Sequence, residues 1–272
     1  MITVLGSTGF IGSNLVLKLK EKGIKYYAPS REENIFGKQL GHVIYCIGLT
    51  ADSRFRPFDT IEAHVSILKN ILQNCFFDSL VYLSSTRVYI HSNSTKETDL
   101  IPIQVNDSSD IFNSSKLLGE SIALHSGRKN IKVVRLSNFY GNNYNANTFL
   151  DSIMRDAVMK GEVLLHTTPD SAKDYIGIGY VTDMLIKISL EGEKNIYNIA
   201  SGQNTSNQEI MLALQQRTSC RYKYSEIVKK IVYPPIDISR ITSEFGKNVS
   251  SLLEDIHDLI ENCKLYHFKN TL

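Results

Sequence analysis

The sequence predicts an α/β fold, a doubly wound parallel sheet with helices on both faces and a smaller lobe toward the C-terminal end. Two observations carry this. Short apolar runs alternate with segments of helical periodicity over most of the chain, the order that gives a parallel sheet. The first run also ends in a glycine-rich turn that opens directly into a helix, and right-handed crossovers then wind the chain to both sides of the sheet.

The elements follow in order. Residues 2–5 (ITVL) form the first strand. Residues 10–22 form a helix with Phe10, Ile11, Leu15, Leu17 and Leu19 apolar and mostly cations in its last turn, which suits the helix dipole. Gly23 is a natural stop. Strands are expected at 25–29, 43–47, 80–83 and 131–136. Helices are expected at 59–74, through Ile61, Val65, Leu68 and Leu72, and at 113–125, through Leu117, Leu118, Ile122 and Leu124. Residues 142–171 read as a polar, loop-rich stretch and 200–272 as helix mixed with turns. Between Arg31 and Val43 the chain is short, so that crossover is abbreviated.

Composition excludes several classes. Hydrophobic residues make up 42% and charged residues 21% of the 272, a globular balance. The net charge is +2 and no Lys/Arg block stands out, so no nucleic acid partner is expected. The four cysteines, Cys46, Cys75, Cys220 and Cys263, are scattered, which points to neither a metal nor a disulfide framework and suits a reduced, cytoplasmic setting. His42, His64, His91, His125 and His166 show no partner at ligand spacing, and no metal site is expected. No run of about 18 apolar residues reads as a membrane span.

The turn Gly6-Ser7-Thr8-Gly9-Phe10-Ile11-Gly12 has the residues a dinucleotide diphosphate requires. Gly6 permits the tight bend, Gly9 lets backbone approach the anion, and Gly12 lets the helix pack on the strand. The helix N-terminus offers free N–H groups and the positive end of its dipole. Thr8, Phe10 and Ile11 complete this cofactor-binding stretch. At the end of the second strand stand Ser30 and Arg31 where an NAD enzyme usually has a carboxylate. A hydroxyl and a guanidinium suit a 2′-phosphate, so the reading is NADP, with NAD possible because Glu32 and Glu33 follow.

The GxxGxxG spacing resembles the short-chain dehydrogenase/reductases, and GSTGFIG resembles their extended branch, the NAD-dependent epimerase/dehydratase family, which modifies nucleotide-linked sugars. YCIG at 45–48 is similar to that family's cofactor-lining segment, where Gly48 would let backbone lie close to the cofactor. LSSTRVY at 83–89 resembles its SSxxVY, FNSSKLLGE at 112–120 its YxxSKxxGE, and RLSNFYG at 135–141 its RLxNVYG. KDYIGIGYVTDM at 173–184, YNIASG at 197–202 and DISRITSEFG at 237–246 resemble later family motifs in the same order. The resemblance implies a Rossmann-type core over 1–141 with 172–199 and a substrate-binding lobe over 142–171 with 200–272. It implies that Ser85 bonds the reacting carbonyl or alcohol and that Lys116 holds the nicotinamide ribose and acidifies a catalytic tyrosine. It places Asn138 near the substrate's diphosphate and Thr86 in a segment lining the same cleft, and it implies a homodimer paired through 59–74 and 113–125, with Ile67, Ile71 and Ile122 as interface residues. From its own chemistry Arg87 is either a grip on a substrate phosphate or carboxylate or a surface arginine, and Asn147, in the asparagine-rich stretch 142–147, is either a sugar-binding amide or part of a polar turn.

The tyrosine is absent: four residues before Lys116 stands Phe112, a ring without a hydroxyl. General acid–base catalysis typically contributes about 10²–10⁴-fold. Three readings stay open. The tyrosine of an active enzyme has been replaced, or Thr86, Tyr89 or Tyr140 supplies the proton, or the chain binds dinucleotide without catalysis. The sugar 4,6-dehydratases carry an Asp-Glu pair where this chain has Thr86 and Arg87, and an arginine cannot serve as a base. Dehydration is therefore disfavoured. The expected activity is a ketoreductase acting on a nucleotide-linked sugar. The alternatives are a 4-epimerase and a non-catalytic NADP-binding sensor or scaffold.

Overall fold

The computed structural model describes residues 1–49, 53–141, 144 and 148–269. Two compact units emerge, one of Met1–Ser137, Ile178–Ile199 and Asp237–Lys247, the other of Asn138–Gly177, Ala200–Ile236 and Asn248–Leu272. Residues 138–141 and 172–177, expected with the N-terminal core, thus fall in the second unit, and 237–247, expected in the C-terminal lobe, fall in the first. The strand 138–140 leaves the main sheet to pair with 172–177, which takes both segments out of the N-terminal core.

The first unit is built on six parallel strands. β1 (Ile2–Leu5) is followed by α1 (Phe10–Glu21), β2 (Tyr26–Tyr27) and β3 (His42–Tyr45). After these come α2 (Pro57–Ile61), α3 (Ile67–Asn74), β4 (Ser79–Ser85), α4 (Asp110–His125) and β5 (Ile131–Leu136). The sheet order is β2-β1-β3-β4-β5 and then the strand Ile196–Ile199. The order reverses beside β1, so the crevice at the carboxyl ends of β1 and β3 is a topological switch point, where doubly wound sheets bind ligands. The second strand is only two residues long and no helix forms over 31–41, in keeping with the short crossover.

Burial explains the strand sequences. Every residue of β1 and β5 is buried, as strands covered on both faces must be. Leu5, Val43, Tyr45, Leu80, Tyr82 and Val133 pack with Leu68 and Leu72 of α3 in one apolar cluster. In α1 the inward face is Gly12, Leu15 and Leu19, whereas Leu17, counted in the apolar pattern, lies outside.

The helix expected over 59–74 is interrupted. Between α2 and α3, Glu62–Ser66 forms a widened, π-helical turn. Two buried phenols supply its hydrogen bonds: Tyr45 donates to the carbonyl of Ala63 (2.6 Å) and Tyr82 to that of His64 (3.2 Å). Gly119 of α4 permits this approach, since a Cβ there would lie 2.3 Å from the Tyr82 hydroxyl and 2.8 Å from the His64 carbonyl oxygen.

The second unit is more ordered than its polar sequence suggested. The stretch read as loop-rich contains the helix Phe149–Met159 and the strand Glu162–Thr167. Ile153, Met154, Val163 and Leu165 from it join Ile210, Leu214, Ile256 and Ile260 in a second core. The stretch thus holds an amphipathic helix and a strand whose burial alternates. Thr148 caps the helix by accepting from the Asp151 N–H. The strand Arg221–Lys229 pairs in parallel with Glu162–Thr167. The chain closes with the 18-residue helix Leu252–Lys269. No helix among the described residues is long and apolar enough to cross a membrane.

Candidate active site

The glycine turn sits at the switch point. Gly6 has φ +85°, and a Cβ on it would stand 3.0 Å from the backbone of Cys46 and Ile47, just after β3. At Gly12 a Cβ would lie 2.2 Å from the Gly6 carbonyl oxygen, which fixes glycine there for packing alone. Gly9 is different. It is exposed, takes an extended conformation before α1, and a Cβ would meet nothing closer than 3.4 Å. Its smallness serves whatever approaches from outside. The first turn of α1 carries no acidic residue to compete for its N–H groups. Thr8 is exposed, and Phe10 and Ile11 are partly buried at the same mouth. The geometry fits a dinucleotide diphosphate.

Ser30 and Arg31 are exposed beyond β2. Glu33 is engaged: Tyr27 donates to it, and Lys38 lies 2.9 Å from its carboxylate and 3.2 Å from the Tyr27 hydroxyl. Lys38 and Tyr27 hold the Glu33 carboxyl below its ordinary range. Both contacts fall on the same oxygen, Oε1.

At the other end of the crevice, β4 delivers Ser85 and α4 delivers Phe112 and Lys116. The Ser85 hydroxyl accepts from the Arg87 N–H at 3.2 Å, capping a short 3₁₀ turn over Thr86–Tyr89. Lys116 is buried, and its ammonium donates to the Leu83 carbonyl at 2.8 Å. Burial pushes its amine down to about 7, against weaker upward pulls from Glu120 and Cys46. Glu120 is held by Ser84 (2.5 Å) and by Arg135 (2.7 Å), so this helix is anchored to the two strands it crosses.

Three groups surround the Phe112 ring. Arg87 lies 5.7 Å and Lys116 6.0 Å from its centroid, and the His64 ring meets it edge-on at 5.4 Å. Arg87 is committed to α4, donating to Ser109 O (3.0 Å), Asn113 Oδ1 (2.8 Å) and Ser109 Oγ (3.0 Å). Thr86 beside it is buried. Asn138 is exposed in the second unit and donates to the Asp174 carbonyl at 2.9 Å. Asn147 lies outside the described residues, as do Asn142, Asn143 and Asn145.

His64 is what the sequence reading missed. It is fully buried at the centre of the π turn, with Nδ1 2.8 Å from Ser115 Oγ and Nε2 accepting from the Leu49 N–H at 3.2 Å. Burial first, and the Lys116 cation second, push its imidazole down to about 3, so it is neutral at all ordinary pH. Its place in the apolar series of Ile61, Val65 and Leu68 was the available signal. Gly48 is exposed, and a Cβ there would lie 3.5 Å from both His64 Nε2 and Lys116 Nζ. The glycine thus sets no side chain against these two buried groups.

His91 also has partners. Its Nε2 lies 3.0 Å from Asp110 Oδ2, and Asp107 completes a group within 4.8 Å. Asp110 already receives the Gln104 N–H (2.9 Å) and Asn113 Nδ2 (2.7 Å), so the cluster serves to tie down the start of α4. The two tyrosines considered as proton donors are occupied. The Tyr89 hydroxyl donates to Asn198 (3.0 Å) and accepts from Arg135 (2.6 Å), and that of Tyr140, in the second unit, donates to Asp255 (2.7 Å). Burial raises the pKa of both phenols.

A glycine turn at the switch point of a parallel sheet, with serine and lysine delivered by the next strand and helix, defines a short-chain dehydrogenase/reductase of the extended type. Residues 2–200 match the model of the NAD dependent epimerase/dehydratase family, and the chain belongs to that family. No curated protein sequence is detectably similar to it. Among solved structures, MoeE5 in complex with UDP-glucose and NAD is 19% identical with a TM-score of 0.82, over 97% of this chain and 99% of that one. RMD from Pseudomonas aeruginosa complexed with NADPH is 16% identical, TM-score 0.79, over 97% and 99%. A tyrosine-to-phenylalanine mutant of UDP-glucuronic acid 4-epimerase from Bacillus cereus, in complex with UDP-4-deoxy-4-fluoro-glucuronic acid and NAD, is 17% identical, TM-score 0.80, over 97% and 99%.

Proposed function

We propose that the chain is an NADP-dependent ketoreductase of a nucleotide-linked sugar. The observation that carries this is the retained frame around Phe112: Ser85 at the end of β4, a buried Lys116 at the mouth beside Gly48, and a glycine turn shaped for the diphosphate. A protein that only bound the dinucleotide would need the turn but not the serine. When bound, the reduced nicotinamide supplies the hydride. Ser85 bonds the ketone oxygen, Lys116 faces the nicotinamide ribose, and Ser30 and Arg31, exposed beyond β2, receive the 2′-phosphate. Thr86 and Arg87 of the first unit, and Asn138 of the second, are proposed as substrate-binding residues. For Arg87 this role consists in holding the start of α4 and giving Phe112 a cationic neighbour. A 4-epimerase, the activity named for one structural neighbour, is the competing reading.

The test is turnover of keto-sugar nucleotides followed by absorbance of the reduced nicotinamide. A reductase consumes the cofactor stoichiometrically, prefers NADPH and loses that preference in Arg31→Ala. Interconversion of sugars with no net consumption makes it an epimerase, and no turnover of a broad panel with cofactor bound makes it a scaffold.

The chain is further proposed to be a homodimer through the α2 and α4 faces. Of the residues first considered, Ile71 is in the core and Ile67 and Ile122 pack against it. The apolar side chains left outside are Phe58, 88% exposed, and Leu118, 48% exposed. Light scattering is expected to give twice the chain mass of 30.7 kDa, falling to that mass in Phe58→Glu. A wild-type mass of one chain removes the idea.

A further inference from the structure

Reduction of a ketone leaves an oxygen that must take up a proton, and Phe112 has none to give. The ionisable groups around its ring are Arg87, His64 and Lys116. Arg87 stays protonated and spends its donors on Ser109 and Asn113. His64 uses one nitrogen toward Ser115 and the other toward the Leu49 N–H, so neither is available to pass a proton on. Lys116 is the exception. An ammonium has three donors, and among the described residues Nζ makes one hydrogen bond, to the Leu83 carbonyl. The nitrogen is buried, and the surface residue beside it is Gly48, exposed and without a side chain, whose Cβ position lies 3.5 Å from Nζ.

We propose that Lys116 is the proton carrier of this site, a catalytic residue in place of the missing phenol and not only a holder of ribose. This deepens the reductase reading and rests on it. The carbonyl π bond breaks as hydride from the reduced nicotinamide forms the new C–H bond, leaving the nicotinamide oxidised. The oxygen takes its proton from the Lys116 ammonium, directly or through one water, and the neutral amine left behind is reprotonated from solvent. The groups facing Nζ support this. Glu120 on its own helix favours the ammonium, the neutral His64, the Cys46 thiol, pushed up to about 12 by burial, and the Tyr82 ring at 5.2 Å add no charge near pH 7, and burial outweighs Glu120. Amine and ammonium therefore coexist near pH 7, where a proton carrier works best.

Two measurements test it, one without turnover. In protein with ¹³C-labelled lysine, one Cε resonance is expected to titrate near pH 7 and to be missing in Lys116→Arg. In turnover, reduction by the wild-type chain is expected to be level at low pH and to fall about tenfold per pH unit above 7. Lys116→Arg, a cation that cannot give up its proton, should lose at least about 10²-fold in kcat at saturating dinucleotide. Phe112→Tyr should raise the rate at neutral pH, because the phenol takes over the transfer. A Lys116 resonance titrating above pH 9, or a Lys116→Arg protein that keeps the wild-type rate and profile, overturns the proposal and leaves the reductase reading intact. Absence of any wild-type turnover with dinucleotide bound overturns both.

Discussion

The glycine turn and the surroundings of Phe112 stand at two ends of one crevice and are built in opposite ways. The turn is seven consecutive residues whose roles follow from backbone geometry. The Phe112 site is assembled from four separate segments: the end of β3, the π turn, the end of β4 and the start of α4. A contiguous site can lose one residue and remain a turn. An assembled site depends on contacts between elements, so a change far from the chemistry reaches it.

Two substitutions sharpen that contrast. The larger effect belongs to the turn. Gly9→Val should fold, because Gly9 has an ordinary φ of −74° and open space outside, yet lose dinucleotide affinity by about 10²-fold, roughly 3 kcal/mol. Calorimetry checks it, and unchanged affinity would remove the turn from the binding site. The smaller effect belongs to the assembled site. Gly119→Ala places a methyl against the Tyr82 hydroxyl and the His64 carbonyl, an overpacking worth about 1–3 kcal/mol. Its melting temperature should fall and its turnover with it, while the turn still binds dinucleotide. An unchanged melting temperature would mean that α4 is not held against the π turn as described.

The sequence disclosed the two ends of the crevice unequally for the same reason. The turn was legible because the need for Gly6, Gly9 and Gly12 is local. Ser85, Phe112 and Lys116 were legible only through family motifs, since nothing local marks a serine at a strand end. His64 escaped because its partners, Leu49 and Ser115, come from other segments, and the π turn that carries it is set by Tyr45 and Tyr82, hydroxyls on two different strands. The parallel sheet followed from the alternation of elements. The helix Phe149–Met159 did not, although its residues are mostly apolar, because it reads as one stretch with the asparagine-rich residues before it; its buried face packs with Ile210 and Ile256.

The burial of Lys116 also bears on how firmly the fold holds. In the unfolded chain its amine binds a proton up to the ordinary lysine range near 10.5, whereas in the folded protein it releases that proton near 7. Between those limits the unfolded state binds more protons, so folding stability rises with pH across this window, and below about pH 7 the full cost, of the order of a few kcal/mol, remains. That is a large share of the stability of an ordinary domain. The first unit therefore folds in spite of burying this lysine, on a helix anchored through Glu120 to Ser84 and Arg135.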